Sequence, residues 1–514
     1  YIEVGNGDKV TWCVGHILEQ VEPDVYDEKY KKWQLDHLPI IPENWQLKPK
    51  YKTKSQLSVI RKLIKEASQL IHAGDPDREG QLLIDEVIDY LKVSKQKRQQ
   101  TLRLLISDLN LSAVKKSLND LKSNQDFVPL SVSALARSRA DWLYGINLTR
   151  AYTILGGKVG YQGVLSVGRV QTPVLGLVVN RDREIAHFIE KPYFEVEAVI
   201  TGQNAANDNF TFNAKWRPSE ACEPFMDEEG RVLNKRLADN VISRIQGHPA
   251  IVTHAKQEQK SQSAPLPFSL SALQIDAAKQ FSMNAKLVLD ICQALYEKHK
   301  LITYPRSDCR YLPNDHFKQA PQILSVLEGY KAPLSMAAQQ ADRSIKSRAW
   351  NNKKVGAHHA IIPTGKSPTN ISLNNFEQNI YQLIARQYIA QFYPAYQYQH
   401  RKISLDIAGG EFNASSNVPT QQGWKVLFKS TNKNDNSIDK ESLAPLPLVK
   451  KGDHLFCENG LLLEKVTQPA KHFSDATLLA AMTNIARFVH DKTLKAVLKE
   501  TDGLGTEATR AGII

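Results

Sequence analysis

The sequence predicts a multi-domain protein that joins an α/β unit to α+β units, and three observations carry that reading. The chain has 514 residues, which at roughly 150 residues per domain suggests about three or four domains. Residues 55–125 alternate helix-like and strand-like stretches, the rhythm of a parallel α/β sheet. Period-two alternation occurs in two blocks, from 191 and over 402–428, that flank a helical block. Such a pattern suggests one domain inserted into another, with no fixed-period repeat.

Each element has its own signal. Ile2 and Val4 alternate with Glu3, then Gly5-Asn6-Gly7-Asp8 precedes Val10, Trp12 and Val14, which predicts a β-hairpin. Leu57, Ile60, Leu63 and Ile64 have helical spacing, and Leu70-Ile71-His72-Ala73 is a short strand ending at Gly74. Leu82, Leu83, Val87, Ile88 and Leu91 give a second helix. Leu104-Leu105-Ile106 reads as a strand, followed by a helix through Val114, Leu118 and Leu121. Residues 126–186 are helix-rich and carry several arginines. Phe194, Val196, Ala198 and Ile200 alternate with Glu195, Glu197 and Val199 as an antiparallel strand does. A polar stretch at 204–209 predicts a loop. Two helices follow, through Leu273, Ala277 and Phe281 and then through Val288, Ile291, Cys292 and Leu295, the second capped near Ser282 or Asn284. Strands are expected through Ile403, Leu405 and Ile407 and through Trp424, Val426 and Phe428, a loop at 430–441, and helices again from about 474.

Composition narrows the class. Hydrophobic residues make up 42% and charged residues 23%, which is ordinary for a globular protein. No apolar run reaches the ~18 residues of a membrane span, and no signal peptide is visible. Cys13, Cys222, Cys292, Cys309 and Cys457 are scattered without a CxxC pair, which argues against a zinc ribbon or a disulfide scaffold and suits a reducing cytoplasm. Lys plus Arg is 66 against 54 Asp plus Glu, a formal charge of +12. A positive surface of this kind favours a polyanion partner, nucleic acid above all. The chain starts at Tyr1 inside a strand-like run and stops at Ile514 inside an apolar one, so both ends are expected to be cut.

Two clusters carry chemistry. Asp75-Pro76-Asp77-Arg78-Glu79-Gly80 lies between a strand and a helix, where open parallel sheets bind ligands. Asp75 and Asp77, two apart across a stiff proline, can turn toward one point, and magnesium needs only one or two protein carboxylates. Acids at a helix N-terminus are favoured by the macrodipole alone, which is the plainer reading. Tyr304, in Ile302-Thr303-Tyr304-Pro305-Arg306-Ser307-Asp308, follows a helix pair and is pushed out of helical geometry by Pro305. A phenol of pKa about 10 needs help to act as a nucleophile. Arg306 can contact a phosphate oxygen and stabilise charge in attack on a phosphodiester. An ordinary loop is the plainer alternative, since most of the 18 tyrosines are packing residues.

Taken together, these motifs resemble the type IA DNA topoisomerases, and within them bacterial topoisomerase III. The resemblance rests on six motifs in order: Asp75–Gly80, which matches the acidic motif of the Toprim fold; Ala140–Arg150 (ADWLYGINLTR); Leu165–Pro173 (LSVGRVQTP); Thr303–Asp308 (TYPRSD); Ala357–Thr364 (AHHAIIPT); and Asp502–Arg510 (DGLGTEATR). It implies a four-domain toroidal architecture: a Toprim domain at 1–125, a helical DNA-binding domain at 126–186 and 442–514, a β-rich hinge at 187–253 and 365–441, and a tyrosine-bearing helical domain at 254–364. It implies ATP-independent single-strand cleavage through a 5′-phosphotyrosine, strand passage and religation, which relaxes negative supercoils and decatenates DNA.

By the same resemblance, Tyr304 would be the nucleophile, Arg306 and His358 would contact the scissile phosphate, and Asp75, Asp77 and Glu79 would hold Mg2+. His359 is the alternative to His358. Arg137, Arg139, Arg150, Ser166, Gly168, Arg169 and Gln171 would line the single-strand groove, with Trp142 read as core and Tyr144 beside the arginines. His16 resembles a family element near the Toprim site, with a structural role equally open. Residues 217–235 are the candidate decatenation loop or an ordinary hairpin. The implied partners are single-stranded, supercoiled or catenated DNA, with helicase or single-strand-binding proteins as candidates, for a cytoplasmic, nucleoid-associated monomer. The family's glutamate and lysine of the first Toprim strand would lie upstream of Tyr1, so impaired activity is expected of the chain as given. A Toprim primase or nuclease would use Asp75 and Asp77 but not Tyr304. A non-enzymatic single-strand binder would explain the charge but not the acids.

Overall fold

The computed structural model describes residues 1–514 apart from 108, 110, 204–208, 357, 429–444 and 502, and only the backbone of residues 112 and 508. The loops expected at 204–209 and 430–441 therefore fall outside the described residues, except for Asn209, which opens a strand. Ala357 and Asp502 of two motifs also lie outside them.

Ile2–Glu3 pairs antiparallel with Lys9–Val10 in an exposed hairpin, with Gly7 at φ +90° in its turn. Helix Lys54–Glu66 buries Leu57 and Ile60 against Ile17, Leu18 and Val87. Strand β1 (Ile71–His72) leads through the acidic loop to helix α1 (Arg78–Tyr90). Strand β2 (Leu102–Arg103) lies parallel to β1, and β3 (Lys122–Ser123) pairs antiparallel with β2. The βαβ core matches the expected rhythm, but β2 begins two residues earlier than expected. The following helix stops at Leu118, where Asn119 and Asp120 offer the backbone turn-like hydrogen bonds that compete with a helix.

Helix α2 (Val128–Lys158) and helix α3 (Gln171–Ala186) form the helical unit expected over 126–186. The chain then enters a closed six-stranded barrel made of β4 (Pro192–Gln203), β5 (Asn209–Arg217), β6 (Pro249–Gln262), β7 (Tyr396–Ile407), β8 (Gly410–Gln421) and β9 (His454–Val466), in the order β6-β7-β8-β5-β4-β9. Its interior holds Val196, Ala198 and Ile200 of β4 facing Ile403, Leu405 and Ile407 of β7, the inward half of the two-residue period. The strand expected through Trp424, Val426 and Phe428 is a 3-10 helix over Gly423–Phe428. Gly423 turns the chain there at φ +50°, where a Cβ would lie 2.4 Å from the Pro394 carbonyl oxygen. The buried Trp424 donates to the Gln262 carbonyl at 2.9 Å. Residues 217–235 fold onto the barrel: Cys222 is buried, Val232 bridges Phe194, and Arg231 lies over the Tyr193 ring.

Between β6 and β7 the chain builds the tyrosine-bearing unit. Helix α4 (Leu270–Phe281) is capped by Ser269, and helix α5 (Ala285–Glu297) by Asn284, whose side chain accepts from Leu287 N at 2.8 Å. Ser282 instead ends α4 in the left-handed region. Helix α6 (Asn375–Ile389) packs into this same core through Ile380, Tyr381, Leu383 and Tyr388. Domain limits therefore differ from those expected. The core of the tyrosine unit takes in α6 from 365–441, and the barrel takes β9 from 442–514 and the whole of β6. Helix α7 (Asp475–Thr483) and helix α8 (Glu507–Ile513) close the chain against α4 and α5.

Candidate active site

The site forms where the acidic loop of the α/β unit meets the tyrosine loop. Asp77 is the N-cap of α1: its Oδ1 accepts from Gly80 N at 2.6 Å. Capping occupies one oxygen and leaves Oδ2 free to face outward. The loop is tight because two glycines touch. A Cβ on Gly74 would lie 2.5 Å from the Gly80 carbonyl oxygen, and one on Gly80 would lie 2.4 Å from that of Asp75. Only glycine fits either position.

Tyr304 meets this loop head-on. Its Oη lies 3.2 Å from Asp75 Oδ2 and 3.1 Å from Asp77 Oδ2, although the residues are more than 200 apart in sequence. Its backbone N donates to the Ser107 carbonyl at 2.9 Å. The loop around it is pinned by two hydroxyls: Thr303 Oγ1 accepts from Ile362 N at 3.1 Å, and Ser307 Oγ donates to the His359 carbonyl at 2.7 Å. The Tyr304 ring is 5% exposed, packs edge-on against Tyr296 and stacks on His358 at 5.2 Å. Burial and the two carboxylates push the phenol well above its usual range, so it rests protonated. Asp75 is open on one side, but its carboxyl is crowded by this contact. Desolvation, then the charge of Asp77, raises it.

His358 and His359 part company. His358 Nδ1 bonds Asp308 Oδ1 at 3.1 Å, and its Nε2 is buried beside Tyr304 with no partner among the described residues. The hydrogen bond to His358 holds the Asp308 carboxyl below its usual range. His359 faces the other way, edge-on to His316. Arg306 is exposed at the mouth of the site, its Nη2 3.4 Å from Gln293 Oε1.

Other expected site residues have intramolecular partners. Glu79 pairs with Arg137 and lies 3.7 Å from His16, whose other nitrogen bonds Glu86 at 2.9 Å. The three expected metal ligands are therefore not gathered. Among the described residues no group of three or more His, Cys, Asp or Glu is placed to hold a metal. Asp75 and Asp77 do converge on a single atom, and two carboxylate oxygens so arranged suit magnesium, which keeps its other positions for water and phosphate. Arg169 forks onto Asp141 at 2.5 and 3.2 Å. Gln171 donates to Ser166 at 3.0 Å, with Gly168 against its side chain. Arg139 lies over Trp45, and Arg150 is buried over Trp33 and bonds the Tyr30 carbonyl at 2.8 Å. Both arginines are thus engaged within the fold. Trp142 is half-buried, its Nε1 3.3 Å from the Val21 carbonyl, and Tyr144 is exposed. A cleft of about 580 Å³ opens here, lined by Asp141, Trp142, Thr149, Arg150 and Ser166.

Sequence reasoning missed Arg103. It is 1% exposed, and its guanidinium binds the backbone of the acidic loop from behind. One arginine inside an apolar run carries no motif, and only the folded parallel strands show where it points. No helix among the described residues is long and apolar enough to cross a membrane.

Comparison with known proteins bears on the family and the fold. A family model described as DNA topoisomerase matches residues 125–514, and one described as Toprim domain matches residues 2–109. The chain is 60% identical over 513 residues to DNA topoisomerase 3 of Vibrio cholerae, covering 100% of this chain and 78% of the relative. It is 56% identical over 514 residues to that of Salmonella typhimurium, with coverage of 100% and 78%. Against that of Bacillus subtilis it is 35% identical over 522 residues, with coverage of 100% and 68%. Full-length topoisomerase I from Thermotoga maritima superposes with a TM-score of 0.64 at 20% identity, over 99% of this chain and 74% of that one, which shows the shared fold.

Proposed function

The chain belongs to the type IA DNA topoisomerase family, and from that premise we propose that Tyr304 is the residue through which it cuts and reseals DNA. The activity is single-strand cleavage, strand passage and religation without ATP, relaxing negative supercoils and unlinking catenated DNA. The observation that carries the assignment is the phenol oxygen held 3.1–3.2 Å from two carboxylates at a junction between units.

In this reading the Tyr304 oxygen attacks a phosphorus of a single strand. A phosphotyrosine bond to the 5′ side forms as the bond to the 3′-oxygen breaks. The phenolic proton passes to the Asp75–Asp77 pair and returns from it to the leaving 3′-oxygen, so resealing is the same path reversed. Arg306 at the mouth supplies fixed positive charge to the phosphate. With Nδ1 of His358 held by Asp308, Nε2 is the nitrogen left for a phosphate oxygen. Asp75 and Asp77 are the proposed holders of Mg2+, which when bound would supply positive charge beside the phosphate, chiefly for resealing. Arg169 gives up an exposed ion pair to contact the strand, an exchange costing only about 0–1 kcal/mol, and Arg137 gives up a half-buried one with Glu79. Ser166, Gly168 and Gln171 form the groove floor near them. Single strands are thus the proposed form of DNA bound.

The test is relaxation of negatively supercoiled plasmid in Mg2+ without nucleotide. Completed by an upstream strand carrying the family's glutamate and lysine, the protein is expected to relax it, and Tyr304→Phe in that same background to bind single strands but leave the plasmid supercoiled. Relaxation by Tyr304→Phe would overturn the assignment.

A further inference from the structure

We propose that Arg103 is a positioning residue of the reaction: its guanidinium sets the direction in which the acidic loop presents Asp75 and Asp77. The inference rests on the reading above that this pair holds Mg2+. The side chain leaves β2 and passes beneath the end of β1. Nη2 donates to the Asp75 carbonyl at 2.8 Å, and Nη1 reaches the carbonyls of Gly74 at 2.8 Å, His72 at 3.2 Å and Leu104 at 2.7 Å. Nε donates to Gln81 Oε1 at 2.8 Å on α1. Every bond except that to Leu104 therefore lands on residues 72–75 or on the helix that Asp77 caps.

Gln81 extends the brace. Its amide donates to Asp85 Oδ2 at 2.9 Å and to Asn124 Oδ1 at 2.8 Å, and Asn124 donates to Asp85 Oδ1 at 3.0 Å. The front of the loop is closed by the Gly74–Gly80 contact, and its back is tied by Arg103. The Asp75 backbone is thus fixed from both sides, with its carboxyl 3.2 Å from Tyr304 Oη.

A purely structural role is a poor explanation. Burying a cation costs desolvation, and an apolar residue of similar size would stabilise a core at least as well. What an apolar residue cannot do is bond four carbonyls and an amide oxygen at once. The planar fork of arginine can do this, and the ammonium of lysine cannot. Partners that orient metal-binding carboxylates typically change metal affinity about 10–100-fold when lost.

The experiment uses the full chain and Mn2+ alone as probe, titrated into DNA-free protein and followed by loss of the free-ion paramagnetic resonance signal. Arg103→Lys is expected to weaken Mn2+ at least about 10-fold and to raise the Mg2+ needed for resealing in proportion, while affinity for single strands holds. Val87→Ala, in the same unit but packed away from the loop, is the control. It should lower thermal stability and leave the Mn2+ affinity alone. Wild-type Mn2+ affinity in Arg103→Lys would overturn the proposal. If Arg103→Lys is not recovered folded, Gln81→Met decides in its place: it must weaken Mn2+ relative to Val87→Ala, and failure to do so refutes the role. Asp75→Asn/Asp77→Asn is measured alongside. Should that pair still bind Mn2+ as wild type does, the metal reading itself falls and the role of Arg103 with it. Should the pair lose Mn2+ while Arg103→Lys keeps it, only Arg103 is refuted.

Discussion

Asp77 does two things at once, and two substitutions separate them. Its Oδ1 caps α1 through Gly80 N at 2.6 Å, while its Oδ2 faces Tyr304 Oη at 3.1 Å. Asparagine caps a helix about as well as aspartate, whereas alanine costs about 1 kcal/mol. Asp77→Asn should therefore keep the thermal stability of the protein within a few tenths of a kcal/mol, and Asp77→Ala should lose about 1 kcal/mol. Function should follow a different order. Both variants lack one of the two anionic oxygens that converge on the phenol. Each should weaken Mg2+ by at least the about 10–100-fold that loss of a mere supporting partner costs. The assay is single-turnover resealing of a cleaved oligonucleotide across a Mg2+ titration, beside thermal unfolding of the same preparations. If Asp77→Asn reseals as wild type does at limiting Mg2+ while Asp77→Ala fails, Asp77 is a helix cap and the metal assignment is refuted.

Three further outcomes are expected. The folded protein raises the Asp75 carboxyl above 3.8, so in the window above that value the folded state keeps a proton the unfolded chain has released. Stability from this group therefore falls as pH rises through the window. Asp75→Asn should then unfold at a higher temperature than wild type at neutral pH, with the gap narrowing toward pH 3.8, and a less stable variant at neutral pH contradicts this. Single-strand affinity should fall steeply with salt, and Arg169→Ala should flatten the slope of log K against log salt by about 0.7; an unchanged slope removes Arg169 from the phosphate contacts. At the junction of α4 and α8, Arg510 Nη1 donates to Ser271 Oγ at 2.9 Å and pairs with Glu507 at 3.1 Å, and Ser271 also bonds Glu507. Removing the hydroxyl in Ser271→Ala should cost about 1–3 kcal/mol at that junction, seen as faster amide exchange in α4 and α8 than in the barrel.

What could be read from sequence was what lies contiguous in it. The acidic loop, the tyrosine loop and the histidine pair each fit within eight residues, and their chemistry is legible without a fold. The parallel βαβ core and the inward face of β4 were legible because burial there follows a simple period. Long-range closure was not. β9 reads Leu461-Leu462-Leu463 without alternation, and a register shift between Cys457 and Asn459 breaks the period ahead of it, so the sixth barrel strand has no signal of its own. The aromatic alternation at Trp424–Phe428 looked like a strand, but Gly423 turns the backbone away from the sheet edge. Glu79 looked like a third ligand because it follows Asp77 by two residues. On α1 that step turns its carboxylate to Arg137 of α2, 58 residues downstream. Arg103 was invisible because four of its five hydrogen-bond partners are backbone carbonyls, which every sequence has.

The central claim is that Tyr304 becomes covalently joined to the 5′ side of a broken strand. The direct measurement is to trap the protein on an end-labelled single-stranded oligonucleotide, digest the adduct, and map the modified peptide by mass spectrometry. The account predicts a nucleotide on the peptide containing Tyr304, a free 3′-hydroxyl on the released fragment, and no adduct with Tyr304→Phe. A nucleotide on any other residue, or an adduct that survives Tyr304→Phe, would contradict it.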